Sequence, residues 1–155
     1  MRLRNIIKLF LISIPYLLLF FVLFVSIAAP LLEYQRLEIS RSFYEINHKI
    51  CNILPTRCLF IFTSPMALCA RCFFIYLAMF VVGVLMLVVK KVFFSWKVGL
   101  LLMIPCIIDG ATQYLGHRLS NNALRSATGA LAGIGIGVII FPIYFKFVDF
   151  ITKGR

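Results

Sequence analysis

Val98-Gly-Leu-Leu-Leu-Met-Ile-Pro-Cys-Ile-Ile108 runs without a break into Asp109-Gly-Ala-Thr-Gln113. An apolar stretch thus passes directly into an ionisable carboxylate, and a primary amide follows one helical turn later. Residues at i and i+4 share a helix face, so Asp109 and Gln113 point the same way. A charge inside a membrane span costs on the order of 3 kcal/mol or more, and such residues usually face a bundle interior or an aqueous cavity. This stretch therefore predicts a span packed against other spans, with Asp109 as the first candidate functional residue.

The rest of the chain agrees. Hydrophobic residues make up 63% of the 155, against about 45–50% in an ordinary soluble domain, and the mean hydropathy is +1.03. The length allows one membrane domain, residues 1–155, with no room for a separate soluble one. The formal charge of +11 does not point to nucleic acid, because the basic residues collect at the ends of apolar runs, where membrane proteins place them.

Four such runs are readable, at about Leu9 to Leu32, Phe73 to Val89, Val98 to Leu115 and Ala127 to Phe147. Each is close to the roughly 17–25 residues that cross a bilayer. Pro15 breaks the first and Pro30 closes it. Arg2, Arg4 and Lys8 before it, with Ala28-Ala29 near its end, resemble a signal peptide, but the apolar core exceeds the roughly 7–15 residues of one, which favours an uncleaved anchor. The expected fold is an all-α integral membrane protein of about four helices.

With the N-terminus inside, nine basic residues (Arg2, Arg4, Lys8, Lys90, Lys91, Lys97, Lys146, Lys153, Arg155) lie on the inner side and seven (Arg36, Arg41, Lys49, Arg57, Arg71, Arg118, Arg125) on the outer side. The bias predicts a multi-pass protein of the cell membrane with both termini cytoplasmic. The intervening segment 33–72 carries Leu37, Phe43 or Tyr44, and Ile46 to Ile50 near helical spacing, which predicts an amphipathic helix at the interface. Pro55 and Pro65 interrupt the remainder of this segment, leaving Leu59-Phe60-Ile61-Phe62 as a short re-entrant or interfacial piece.

In that topology the polar residues converge at the outer helix ends. Asp109, Gln113, Arg118, Asn122, Arg125, Thr128 and Arg71 form the candidate ligand-binding set, with His117, Asn121 and Ser126 nearby. An ion pair of Asp109 with Arg125 or Arg118 that only fixes the bundle is the competing structural reading. Arginines suit planar anions such as phosphate or a lipid headgroup.

Cys69-Ala-Arg-Cys72 is a single C-x-x-C, open to three readings: a redox dithiol, half of a zinc site, or a structural disulfide. Cys51, Cys69 and Cys72 with His48 would complete a tetrahedral three-cysteine, one-histidine set for zinc or another metal. Cys58 lies upstream of the motif, and Cys106, inside a span, reads as a core thiol. Gly129, Gly133 and Gly137 form a small-residue row that lets helix backbones approach closely, within the bundle or between two copies in a homo-oligomer. Neither a serine–histidine–aspartate set nor a histidine–glutamate metalloprotease spacing occurs, and the two histidines restrict acid–base chemistry near neutral pH. Three functions stay open: binding or transport of a polar group, a redox or metal-dependent enzyme centred on the cysteines, and a small structural subunit.

Cys51, Arg57, Cys69-Ala70-Arg71-Cys72, Ile75-Tyr76, Asp109-Gly110, Thr112-Gln113, Asn122, Leu124-Arg125 and Thr128-Gly129 occur in an order and spacing that resembles the prokaryotic membrane-protein family catalogued as domain of unknown function 2085. The resemblance covers about Cys51 to Gly137. Asn52-Ile53 stand where that pattern has His-Gln, Cys58 where it has serine, and Phe74 where it has glycine. It implies a multi-span membrane protein and carries no activity with it.

Overall fold

The structure is a computed structural model that describes residues 2–89, 95–116 and 121–153. Five helices carry most of the chain: α1 (Arg2–Tyr34), α2 (Ile39–His48), α3 (Ala70–Val89), α4 (Trp96–Tyr114) and α5 (Asn122–Lys153). Three of them, over Arg4–Tyr34, Ala70–Val89 and Asn122–Thr152, are long and apolar enough to cross a membrane. The chain is a mostly helical membrane protein.

The helices outrun the apolar runs that announce them, because the polar flanks continue the same backbone. α1 also passes through both Pro15 and Pro30, where a break and a stop are expected from sequence. Proline removes the N–H that would bond the carbonyl four residues back. At Pro15 that carbonyl belongs to Leu11, and the Tyr144 hydroxyl of α5 donates to it at 2.6 Å. A neighbouring helix thus restores the lost bond, which is how proline is tolerated inside membrane helices.

α5 is the centre of the bundle, packed against α3, α4 and α1. Its glycine row faces α3. A Cβ on Gly129 would lie 2.5 Å from the Arg71 carbonyl oxygen, and one on Gly133 would lie 2.3 Å from that of Ile75. The row offered by the sequence to a second copy is therefore filled by α3 of the same chain. α4 meets α5 through an equally close contact, where Gly135 faces the Gly99 carbonyl oxygen. Tyr16 of α1 stacks on Phe141 with ring centroids 5.4 Å apart and donates to the Gly83 carbonyl at 3.0 Å. At one end of the bundle Lys8 pairs with Asp149 at 2.6 Å, so the N-terminal part of α1 and the C-terminal part of α5 share that end.

The segment between α1 and α3 departs from the all-helical expectation. α2 fits the amphipathic reading and packs on α1, but Leu59 to Phe62 belong to a β-hairpin rather than a re-entrant piece. Strand β1 (Cys58–Ile61) pairs antiparallel with β2 (Ser64–Cys69), Ile61 opposite Ser64 and Cys58 opposite Cys69. Phe62 turns the corner in the left-handed region at φ 54, and its ring stacks on Tyr34, centroids 4.8 Å apart. A lone two-stranded hairpin is marginal, and this one is tied down from three sides. The Tyr44 hydroxyl donates to the Pro65 carbonyl at 2.6 Å, Asn122 Nδ2 donates to the Cys58 carbonyl at 3.0 Å, and β2 lies against α1.

Candidate ion-pair and thiol site at one end of the bundle

The hairpin delivers its last residue, Cys69, to the start of α3. The Cys72 N–H donates to Cys69 Sγ at 3.5 Å, the bond a capping side chain makes to a first-turn amide. The Cys69 N–H donates in turn to Cys51 Sγ at 3.5 Å. Cys51 is itself fixed by its N–H to the Asn47 carbonyl at 3.0 Å, just past the end of α2. These bonds bring the sulfurs of Cys51, Cys69 and Cys72 within 4.8 Å of one another. All five cysteines are free thiols.

Within the cluster the charge belongs on Cys69. The Cys51 thiol and then the Cys72 thiol donate to it, and the Arg71 guanidinium adds a favourable field, so its thiol is held far below the usual range. Cys51 is pushed up, chiefly because its hydrogen bond to Cys69 keeps the proton on its own sulfur. Cys58, across the ladder from Cys69 and fully buried, is raised to about 11 by burial first and by its thiol neighbours second.

Beside the thiols lies a chain of polar side chains from three helices. Arg71 forms an ion pair with Asp109 Oδ2. Gln113 Nε2 donates to the same oxygen at 2.7 Å and to the Asp109 carbonyl at 2.8 Å, so the i, i+4 face read from the sequence is real. Gln113 Oε1 accepts from Arg125 at 3.0 Å. Asp109 is 4% exposed and Arg125 5%, and Arg57 and Arg71 are close enough for their charges to act on Arg125.

Several expectations change here. Among the described residues Arg71 forms the direct ion pair with Asp109, and Arg125 is hydrogen-bonded to it through Gln113 and feels its charge without touching it. The sequence could not reveal that α3 and α5 touch backbone to backbone at Arg71 and Gly129, which sets Arg71 beside α4 as well. His48 is exposed and stands outside the sulfur cluster, since the turn after α2 carries Cys51 inward without it. Thr128 spends its hydroxyl on the Leu124 carbonyl at 2.9 Å, within its own helix, and Asn122 serves the hairpin. Arg118 and His117 lie outside the described residues. Arg57 and Cys58 are additions to the candidate set, and the sequence held a signal for both: Arg57 falls on a position of the family pattern, and Cys58 is its immediate neighbour.

Fold and site together define a multi-span helical membrane protein with an ionisable, thiol-bearing end. Residues 51–139 match the family described as predicted membrane protein (DUF2085), and the chain belongs to that family. It is 37% identical over 115 residues to an uncharacterized protein of Methanocaldococcus jannaschii, covering 71% of this chain and 73% of that one. A second uncharacterized protein, from Methanothermobacter thermautotrophicus, is 40% identical over 92 residues, covering 58% of this chain and 83% of its own length. No solved structure matches the chain.

Proposed function

We propose that the chain is a single four-span domain of the cell membrane, both termini cytoplasmic, that binds an anionic phosphate-type group at its outer helix ends. α4 supplies the fourth span. Its 19 residues extend about 28 Å at about 1.5 Å per residue, close to the roughly 30 Å of hydrocarbon. It turns Leu100, Leu101, Ile104, Ile107 and Ile108 outward while burying Gly99 and Asp109, the arrangement of a lipid-facing helix whose polar residue looks into the bundle.

The observation that carries the binding reading is a charge mismatch. Arg57 and Arg71 both repel the charge on buried Arg125, and among the described residues Asp109 and Cys69 oppose them. Crowding like charges on a buried guanidinium is costly, and a phosphate or lipid headgroup, bound through charge-assisted hydrogen bonds, offsets it.

Calorimetric titration of the detergent-purified protein with inorganic phosphate and, separately, with short-chain phosphatidylglycerol tests this. Binding of the lipid alone assigns a headgroup site, and binding of phosphate as well assigns a site for the free anion. Arg57→Gln, at an exposed position, should weaken either by about tenfold, because a hydrogen bond to a charged group contributes about 1.5–3 kcal/mol. The reading fails if neither ligand binds the folded protein, or if Arg57→Gln and Arg125→Lys bind as well as wild type.

A further inference from the structure

We infer that Cys51, Cys69 and Cys72 form a three-thiolate site for a borderline-soft divalent cation, zinc foremost, with its fourth position left to a non-protein ligand. The inference is independent of anion binding and rests on the thiol geometry. Three sulfurs from two chain segments, one before the hairpin and one running from its last residue into α3, lie within 4.8 Å of one another. The edge of a tetrahedron built on zinc–sulfur bonds of about 2.3 Å is about 3.8 Å, so small side-chain movements close the site.

A disulfide would use two of these sulfurs and strand the third, whereas a metal uses all three. The backbone is already arranged for the metal. The N–H groups of Cys69 and Cys72 donate to Cys51 Sγ and Cys69 Sγ, and hydrogen bonds of this kind orient metal ligands and stabilise their charge. Thiolates favour zinc, copper(I) or iron over magnesium and calcium, which take oxygen ligands. Zinc displaces the remaining thiol protons to solvent on binding, and three thiolates around a divalent cation carry one net negative charge. That charge sits beside Arg71, the residue between Cys69 and Cys72, and offsets part of the guanidinium excess.

The donor set is bounded on both sides. His48 is exposed and outside the cluster. Cys58 pairs with Cys69 through the ladder, yet its sulfur is not among the three that converge. Three protein ligands with an open position are the arrangement of zinc sites that bind an exogenous molecule, in contrast to closed four-ligand structural sites.

The test uses the full-length protein, purified in detergent under anaerobic reducing conditions, loaded with zinc and then dialysed. Elemental analysis should find one zinc per chain in wild type. Cys51→Ser, Cys69→Ser and Cys72→Ser should lose the zinc, while Cys58→Ser and Cys106→Ser should keep it. Cobalt loading of wild type supplies a readout that does not depend on the variants folding. It should give sulfur-to-cobalt charge-transfer absorption together with the intense visible bands of tetrahedral cobalt. A folded wild type that takes up neither metal overturns the inference, as does equal retention by a folded Cys51→Ser/Cys69→Ser double variant. Loss of zinc in folded Cys58→Ser would replace the three-thiolate site with a closed four-thiolate one. Arg57→Gln, the variant that reports on anion binding, should leave the zinc content unchanged, so failure of one reading is separable from failure of the other.

Discussion

Asp109 accepts a guanidinium from α3 and an amide from its own helix while almost wholly shielded from solvent. Removing one partner of a buried pair costs about 3–5 kcal/mol, and the Arg71 side chain keeps 22% of its exposure, which places this pair at the low end. Asp109→Asn should therefore lower the unfolding free energy by about 3 kcal/mol, and Arg71→Gln added to it should restore part of the loss. A double-mutant cycle should give a coupling of about 1–3 kcal/mol for Asp109 with Arg71, and a smaller one for Asp109 with Arg125, whose link runs through Gln113. A larger Arg125 coupling would show that the ion pair is assigned to the wrong arginine. At this scale the sequence revealed the acceptor but not the donor. The apolar approach to Asp109 and the four-residue spacing of Gln113 are local facts. Which of several arginines arrives depends on how two helices meet far away in the chain.

The elements divide along the same line. Long apolar runs announced the membrane helices, because length and composition suffice for that. The hairpin escaped the sequence reading, since strands of four and six residues with a proline in one of them give too short a pattern to separate from an interfacial turn. The contacts between elements make definite claims. Gly133→Ala places a methyl group against the Ile75 carbonyl and Ala78, and such overpacking should cost about 1–3 kcal/mol. Gly110→Ala, also in a helix, meets only the far end of Arg71 at 3.6 Å and should be neutral or stabilising by up to about 1 kcal/mol. Thermal unfolding of the two variants decides whether α3 and α5 are packed as described. Tyr144→Phe leaves the Leu11 carbonyl unpaired opposite Pro15, which should cost about 1 kcal/mol on the same assay. Tyr44 adds a pH dependence. Burial first, and the neighbouring Glu33 second, raise its phenol above the ordinary 10.0. The unfolded chain therefore ionises there before the folded one, and stability should fall as pH rises above 10. Tyr44→Phe should flatten that alkaline arm, and an unchanged slope would remove Tyr44 as its source.

For the whole molecule, the proposed four crossings require the α3–α4 connection on the side of the termini and the α4–α5 connection on the side of the hairpin. Single cysteines introduced at Lys91 and Asn121, in a background whose native cysteines are replaced, should therefore label from opposite faces of a sealed vesicle. Labelling of both from one face would reduce the chain to three crossings. The Arg71–Asp109 bond also has a consequence in time. Its partners are 38 residues apart, and a ribosome adds about 5–20 residues each second. The arginine thus reaches the bilayer about 2–8 s before the aspartate can, and Gln113 and Arg125 come later still. During that interval water, lipid phosphate or the insertion machinery has to shelter the guanidinium. A nascent chain stopped after Val89 should consequently be extracted from membranes by alkali more readily than one stopped after Tyr114, so that biosynthesis is complete for this protein only when the second half of the chain reaches back to neutralise the first.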